Sequence, residues 1–160
     1  MPGFLPGKVP SSQKFFLQHF WYAFKIGDLD INTPLLLQDV KLPNADFDVL
    51  EKEGASLYYK YAKFAKWTDA VFTFYDLDGL ATQLEKWREL IWTPTGGIQP
   101  KSNYAKETIV QQTDGKGAPK VTHTMYNTWP RVIEQGPLAY DRSEARLVIV
   151  TLAVDYMESK

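Results

Sequence analysis

Glu107-Thr108-Ile109-Val110-Gln111-Gln112-Thr113 and Lys120-Val121-Thr122-His123-Thr124-Met125-Tyr126-Asn127-Thr128 are β-rich runs on either side of Asp114-Gly115-Lys116-Gly117. Glycine permits the positive φ angles that a hairpin turn requires, so the spacing predicts an antiparallel hairpin. Trp129-Pro130 follows directly. Proline removes a ladder donor, so the strand is expected to bend or end at Trp129 before a long final strand over residues 145–157.

Working back from the hairpin, Leu77, Leu80, Ala81, Leu84, Trp87 and Ile91 recur at helical spacing. They predict a helix over 77–91 with one apolar stripe laid on a sheet, capped by Asp76 or Asp78 and ended by Thr93-Pro94-Thr95-Gly96-Gly97. Residues 70–75 read as a short strand before it. Residues 35–42 read as a strand ending at Pro43, and 15–26 as a strand apolar on both faces. Over 44–67 a turn at Glu51-Lys52-Glu53-Gly54 divides two segments and suggests a projecting hairpin. Residues 1–13 hold Pro2, Gly3, Pro6, Gly7 and Pro10, a composition that forms no regular element and reads as an arm. The sum over residues 1–160 is a single mainly β domain, an antiparallel β sandwich or barrel with one flanking α-helix.

Composition narrows the function classes. The chain has 160 residues, 44% hydrophobic and 14% aromatic, far from the signature of disorder and long enough to bury a sizeable core. Its formal charge of -1 gives no global attraction to nucleic acid or an anionic membrane. The absence of cysteine excludes disulfides, thiolate metal sites and thiol nucleophiles. The opening residues do not read as an export signal, and no apolar run approaches the ~20 residues of a membrane helix. A soluble protein made and folded in the cytoplasm, without membrane insertion, is the expectation.

No residue pattern specifies catalysis, and none specifies a cofactor. Asp28, Asp30, Asn32 and Asp39 stand at positions one, three, five and twelve of a calcium-type loop, but Thr33 replaces the glycine its sharp turn demands, so a polar turn is expected and no metal. His19 and His123 both fall in strand-like runs without a paired nucleophile, and read as core or interface residues. The pairs Asp46 with Asp48 and Asp76 with Asp78 are unspecific. Over residues 58–67, Lys60, Lys63 and Lys66 interleave with Tyr58, Tyr59, Tyr61, Phe64 and Trp67, the logic of a single-stranded nucleic-acid module. In a regular strand, however, Lys60 and Lys66 would share one face and Lys63 the other.

The order of motifs resembles the tail tube proteins of contractile-tailed bacteriophages and the related tubes of contractile injection systems. Those proteins close their fold with a hairpin, a Trp-Pro corner, an acid-rich turn and a strand reading roughly V-T-L-A-L-D-Y. This chain has Tyr126-Asn127-Thr128-Trp129-Pro130, then Tyr140-Asp141-Arg142-Ser143-Glu144, then Val150-Thr151-Leu152-Ala153-Val154-Asp155-Tyr156. Residues 69–75, the helix containing Trp87, and Gly96-Gly97 follow the family's order of strand, helix and glycine-rich loop.

The resemblance implies a structural subunit and not an enzyme: hexameric rings whose strands join into a shared inner barrel and stack into a hollow conduit for DNA delivery. It implies assembly in the host cytoplasm and residence in the virion tail. The implied partners are the protein itself, a sheath, a tape-measure protein, a baseplate or tube initiator and a tail terminator, with DNA only in transit. Phe4, Leu5, Phe47, Leu50, Tyr58, Tyr59, Tyr61 and Trp129 are the expected contacts between subunits or rings. The single-strand-binding module at residues 58–67 is the alternative, and a small β-barrel enzyme or ligand binder a third reading.

Overall fold

In a computed structural model, the strand at Ala70–Tyr75 alternates strictly between buried and half-buried side chains, with Ala70, Phe72 and Phe74 on the hidden face. The strand Leu147–Ala153 repeats the pattern with Val148, Val150 and Leu152, and the two pair antiparallel with Val150 opposite Phe72. Alternation with period two places each apolar set on one face, so this pair defines the core. The structure describes residues 20–26, 37–76, 79–113, 118–136 and 146–160; for 20–25 and Thr113 it describes the backbone.

In chain order the elements are β1 (Phe20–Ile26), β2 (Leu37–Lys41), β3 (Ala45–Glu53), β4 (Tyr58–Trp67), β5 (Ala70–Tyr75), α1 (Leu80–Glu89), β6 (Trp92–Thr93), β7 (Gly97–Ile98), α2 (Lys101–Tyr104), β8 (Lys106–Thr113), β9 (Pro119–Gln135), β10 (Leu147–Ala153) and β11 (Tyr156–Ser159). The main sheet runs β1-β8-β9-β10-β5-β2, antiparallel throughout, with β11 also paired to β9. It curls until its end strands, β1 and β2, touch. The fold is therefore mainly β, an antiparallel curled sheet with a flanking helix, as the sequence predicts.

The β8–β9 hairpin pairs with Ile109 opposite Thr124 and Val110 opposite His123; its turn, residues 114–117, lies outside the described residues. Of the two outcomes expected at Pro130, bending or ending, the strand bends: β9 runs on for 17 residues. Its first part pairs with β8 and β11, and its last part with β10. Two register shifts make the corner between them. One lies between Lys106 and Thr108, opposite Thr128 and Met125, where Asn127 takes φ 54; asparagine is among the few residues that tolerate this region. The other leaves Arg131 as the extra residue, since Leu152 faces Pro130 and Thr151 faces Val132. A bulge is where a ladder can accept a residue without an N–H, so the proline turns the strand instead of stopping it.

The final strand expected over 145–157 is likewise two strands, β10 and β11, parted at Val154 and Asp155. The break follows β9 around its corner, and the Asp155 N–H still donates to the Tyr126 carbonyl at 3.2 Å.

The helix is shorter than the 77–91 expected, and Asp76 does not cap it. Its N-cap is Gly79 at φ 74, with no side-chain hydrogen bond. Asp76 instead pairs with Arg146 at 3.3 Å, and its N–H donates to the Arg146 carbonyl, tying the end of β5 to the start of β10. Asp78 lies outside the described residues. Leu80, Ala81, Leu84 and Trp87 form the buried stripe and share one core cluster with Phe72, Phe74, Val148 and Val150. Trp87 finds the partner that a buried indole needs, donating through Nε1 to the Tyr104 carbonyl at 2.8 Å. Two buried threonines close the other end of the core: Thr128 donates to the Lys106 carbonyl at 2.8 Å, which leaves Thr108 as donor to Thr128, also at 2.8 Å.

Candidate functional site

None of residues 44–67 belongs to the buried core cluster of the described residues. β3 and β4 pair with each other in a two-stranded sheet of their own, and every residue in them is exposed except the half-buried Trp67. This ribbon is anchored at its base, where the Asn44 N–H donates to Thr68 Oγ1 at 2.9 Å and the Thr68 N–H to the Asn44 carbonyl at 3.0 Å. At its tip the Gly54 N–H donates to the Leu57 carbonyl at 2.8 Å. A Cβ on Gly54 would fall 2.5 Å from the Tyr59 ring, so the tip is shaped around that tyrosine.

The ribbon exposes more apolar surface than isolated solvation explains. Phe47 is 55% exposed, Val49 56%, Tyr58 70%, Tyr59 and Tyr61 both 52%, and Phe64 62%. Apolar residues scattered singly on a surface need no explanation; a contiguous band of them marks an interaction site. The register divides the band between two faces. Phe47, Val49 and Tyr58 lie on one, and Leu50, Tyr59 and Tyr61 on the other.

One register shift revises the expected charge pattern. Phe47 faces Ala65 while Val49 faces Ala62, so β4 carries one extra residue opposite Asp48. A single extra residue exchanges the faces beyond it. Lys60 and Lys66 therefore stand on opposite faces, contrary to the expectation for a regular strand. Lys60 pairs with Glu51 at 3.6 Å and Lys66 with Asp48 at 3.1 Å, while Lys63 lies 5.8 Å from the Phe64 ring centroid. An acidic strand thus answers the lysines at close range, and the pattern proposed for nucleic-acid binding is not gathered onto one surface.

Of the residues singled out in the sequence, Phe47, Leu50, Tyr58, Tyr59 and Tyr61 share the ribbon. Trp129 is elsewhere, half-buried at the β9 corner and packed edge-on against Tyr104 at 5.9 Å between ring centroids. Phe4 and Leu5 lie outside the described residues, as do His19 and the candidate ligands Asp28, Asp30 and Asn32. Asp39 sits exposed on β2, and no group of three acids or histidines among the described residues is placed to hold a metal. His123 exchanges a 2.8 Å hydrogen bond with the Ser159 hydroxyl, and partial burial holds its pKa below the ordinary histidine value. Sequence reading passed over the exposed Val49 and Leu57, whose apolar character among charged neighbours is the available signal, and named Phe64 only for the nucleic-acid alternative.

At the β10–β11 break Lys101 donates to both Asp155 oxygens at 2.7 and 2.6 Å, and Asn127 donates to Oδ2 at 3.0 Å. The Lys101 hydrogen bond, with help from Asn127, holds the Asp155 carboxyl below its usual range against a smaller opposing effect of burial. On the sheet face turned from the core, the register sets Val71 beside Thr151 and Val132, Thr73 beside Ile149 and Glu134, and Ile109 and Gln111 beside Thr124 and Thr122. These positions are half-buried or exposed and rich in threonine, and Glu134 shares the face with Asp39 beside Thr73, Lys41 beside Val71 and Glu158 beside Thr124.

No protein-family model and no curated protein matches the sequence. Solved structures do share the fold. A chain of the sheath-tube complex of an extracellular contractile injection system, PVC, in its extended state superposes with TM-score 0.72 at 14% identity, covering 93% of each chain. A chain from the tube-terminating cap of the anti-feeding prophage gives 0.70 at 12% identity over 95% of this chain and 98% of the other. Hcp1 from Salmonella typhimurium gives 0.52 at 14% identity over 88% and 83%.

Proposed function

We propose that this chain is a structural subunit of a hollow tube in a contractile machine, a phage tail or a related injection apparatus, and that it assembles by contact and performs no catalysis. The observation that carries the reading is the β3–β4 ribbon, which holds exposed apolar side chains on both faces and, among the described residues, buries none of its side chains beyond the half-buried Trp67. An isolated two-stranded ribbon is marginally stable in water. A ribbon apolar on both sides finds its stability between neighbours. The fold shared with chains from a sheath-tube complex and a tube-terminating cap supports the same reading.

In this assembly subunits close into hexameric rings, their curled sheets join into an inner barrel, and rings stack. Shared closure removes sheet edges that would otherwise invite uncontrolled pairing. The face turned from the core lines the channel. Its threonines and its mixed, mainly acidic charges, Asp39, Lys41, Glu134 and Glu158, fit a conduit for DNA, since a surface dense in lysine or arginine would hold phosphates and stall transit. The outer surface and tube ends meet a sheath, a baseplate or initiator, and a terminator; a tape-measure protein occupies the channel before ejection. Assembly takes place in the host cytoplasm and the product resides in the virion tail.

Electron microscopy of the purified protein across a concentration series tests the reading, with a variant lacking residues 51–58 beside it. Hollow tubes of stacked rings from the parent, and folded subunits without tubes from the variant, are expected. Normal tubes from the variant would remove the ribbon from the interface. A strongly basic channel in the assembled tube would refute the lumen assignment.

A further inference from the structure

Beyond the ribbon, the corner of β9 and the end of α1 enclose a cleft of about 490 Å³, walled by Trp92, Trp129, Pro94 and Pro130, with Arg88, Glu89 and Arg131 at its sides. Its aromatic wall is preset: Trp129 is braced by Tyr104, and the Trp-Pro corner is fixed by the bulge at Arg131. Trp92 remains 55% exposed, so apolar surface stands open to an occupant. Arg131 is held by Asp69 and Arg88 by Glu85 at 2.5 Å, so among the described residues both lining arginines are paired outside the cleft and Glu89 contributes an acid to it.

A segment of matching chemistry lies in the chain itself. Residues 1–19 contain Pro2, Pro6 and Pro10, the apolar Phe4, Leu5 and Val9, and Lys8 and Lys14, with no acid. Prolines fix φ near −65°, so an extended proline-rich strand loses little freedom when it seats, and grooves lined by aromatic rings are the usual receptors for it. Residues outside the described β1 can span up to ~60 Å when extended, enough to leave the subunit and cross onto a neighbour.

We infer that the Trp92–Trp129 cleft receives the proline-rich N-terminal segment, residues 1–13, of a second copy of this chain. The prolines stack on the two indoles, Phe4 or Leu5 fills the floor toward Ile91, and Lys8 meets Glu89. This deepens the tube reading by joining one subunit to the next through a peptide and a groove, in addition to the ribbon.

The chain has no cysteine, so single thiols report position without background. Full-length Gly7→Cys is mixed with full-length Glu89→Cys under mild oxidation, and with Thr82→Cys, an exposed site on the same helix outside the cleft, as control. Thermal unfolding identical to the parent qualifies each variant. Disulfide-linked heterodimers with Glu89→Cys, lost with Thr82→Cys, are the expected result. Absence of the heterodimer overturns the inference. So does its replacement by an intrachain disulfide in the double variant Gly7→Cys/Glu89→Cys, which would seat the segment in its own cleft. Micrographs of the parent keep the two readings apart. Tubes without the cross-link refute the docking, and the cross-link without tubes leaves the docking standing while the tube reading falls.

Discussion

Replacing one face of the ribbon at a time tests both that it is an interface and that both faces are used. Phe47→Ser/Tyr58→Ser strips one face, and Tyr59→Ser/Tyr61→Ser strips the other. All four side chains are 52 to 70% exposed in the subunit. An aromatic so exposed has about 100 Å² left to hide on contact. At about 25 cal/mol per Å² that contributes about 2.5 kcal/mol each, reduced by about 1 kcal/mol for immobilising the side chain. A pair then contributes about 3 kcal/mol, and its loss raises the critical concentration for assembly roughly a hundredfold. Because these residues face solvent, the subunit's own stability should move by no more than about 0.5 kcal/mol. Sedimentation across a dilution series reads the critical concentration, and chemical denaturation reads the stability. A face whose replacement leaves the critical concentration unchanged is not an interface. If neither replacement moves it, the ribbon argument is refuted.

The Lys101–Asp155 contact should be acid-labile: a carboxyl whose folded pKa is depressed contributes stability above its unfolded value near 4, and loses it as pH falls through the folded value. Asp155→Asn is therefore expected to lower the denaturation midpoint at pH 7 by no more than about 1 kcal/mol equivalent, because the pair is exposed, and the gap to the parent should close below pH 4. A gap that persists at pH 2.5 would show that Asp155 acts through shape and not charge. Thr128→Val leaves the buried Thr108 hydroxyl without its acceptor and the Lys106 carbonyl without that donor, at a cost of about 1 to 3 kcal/mol. Thr108→Val/Thr128→Val should cost less than the two single changes added together, and a strictly additive double-mutant cycle would contradict the network.

The elements legible in the sequence are those whose signal is local. Period-two alternation in Ala70–Tyr75, the two β-rich runs that pair as β8 and β9, and the helical spacing of Leu80, Ala81, Leu84 and Trp87 each follow from neighbours in the chain. What escaped was set by tertiary context. The bulge that carries β9 through Pro130 depends on β10, and the one that reverses the faces of β4 depends on β3. Asp76 can cap a helix by its type, yet Arg146, seventy residues away in sequence, holds it first. The exposure of the ribbon aromatics could be anticipated because their strands alternate with charged residues and carry no one-sided apolar face; the exposed Trp92 beside Trp129 could not, since that cleft depends on the corner of β9 folding against α1.

A strand pair that no core supports should also be the first part of the subunit to open. The ion pairs across the ribbon, Lys60 with Glu51 and Lys66 with Asp48, have side chains 47 to 70% exposed, and such pairs contribute little. Its remaining stability comes from cross-strand contacts of the kind that leave isolated hairpins marginal. β5 and β10, by contrast, bury Phe72, Phe74, Val148, Val150 and Leu152 completely and can open only with the whole domain. Hydrogen exchange on the dispersed subunit should therefore find fast amides throughout Ala45–Glu53 and Tyr58–Trp67 beside slow ones in β5 and β10. In the assembled state the ribbon should become as protected as the core, because both its faces and its backbone are then covered. Ribbon amides already slow in the subunit would mean that local pairing suffices for its order. Its apolar faces would then need another explanation than the neighbours that cover them.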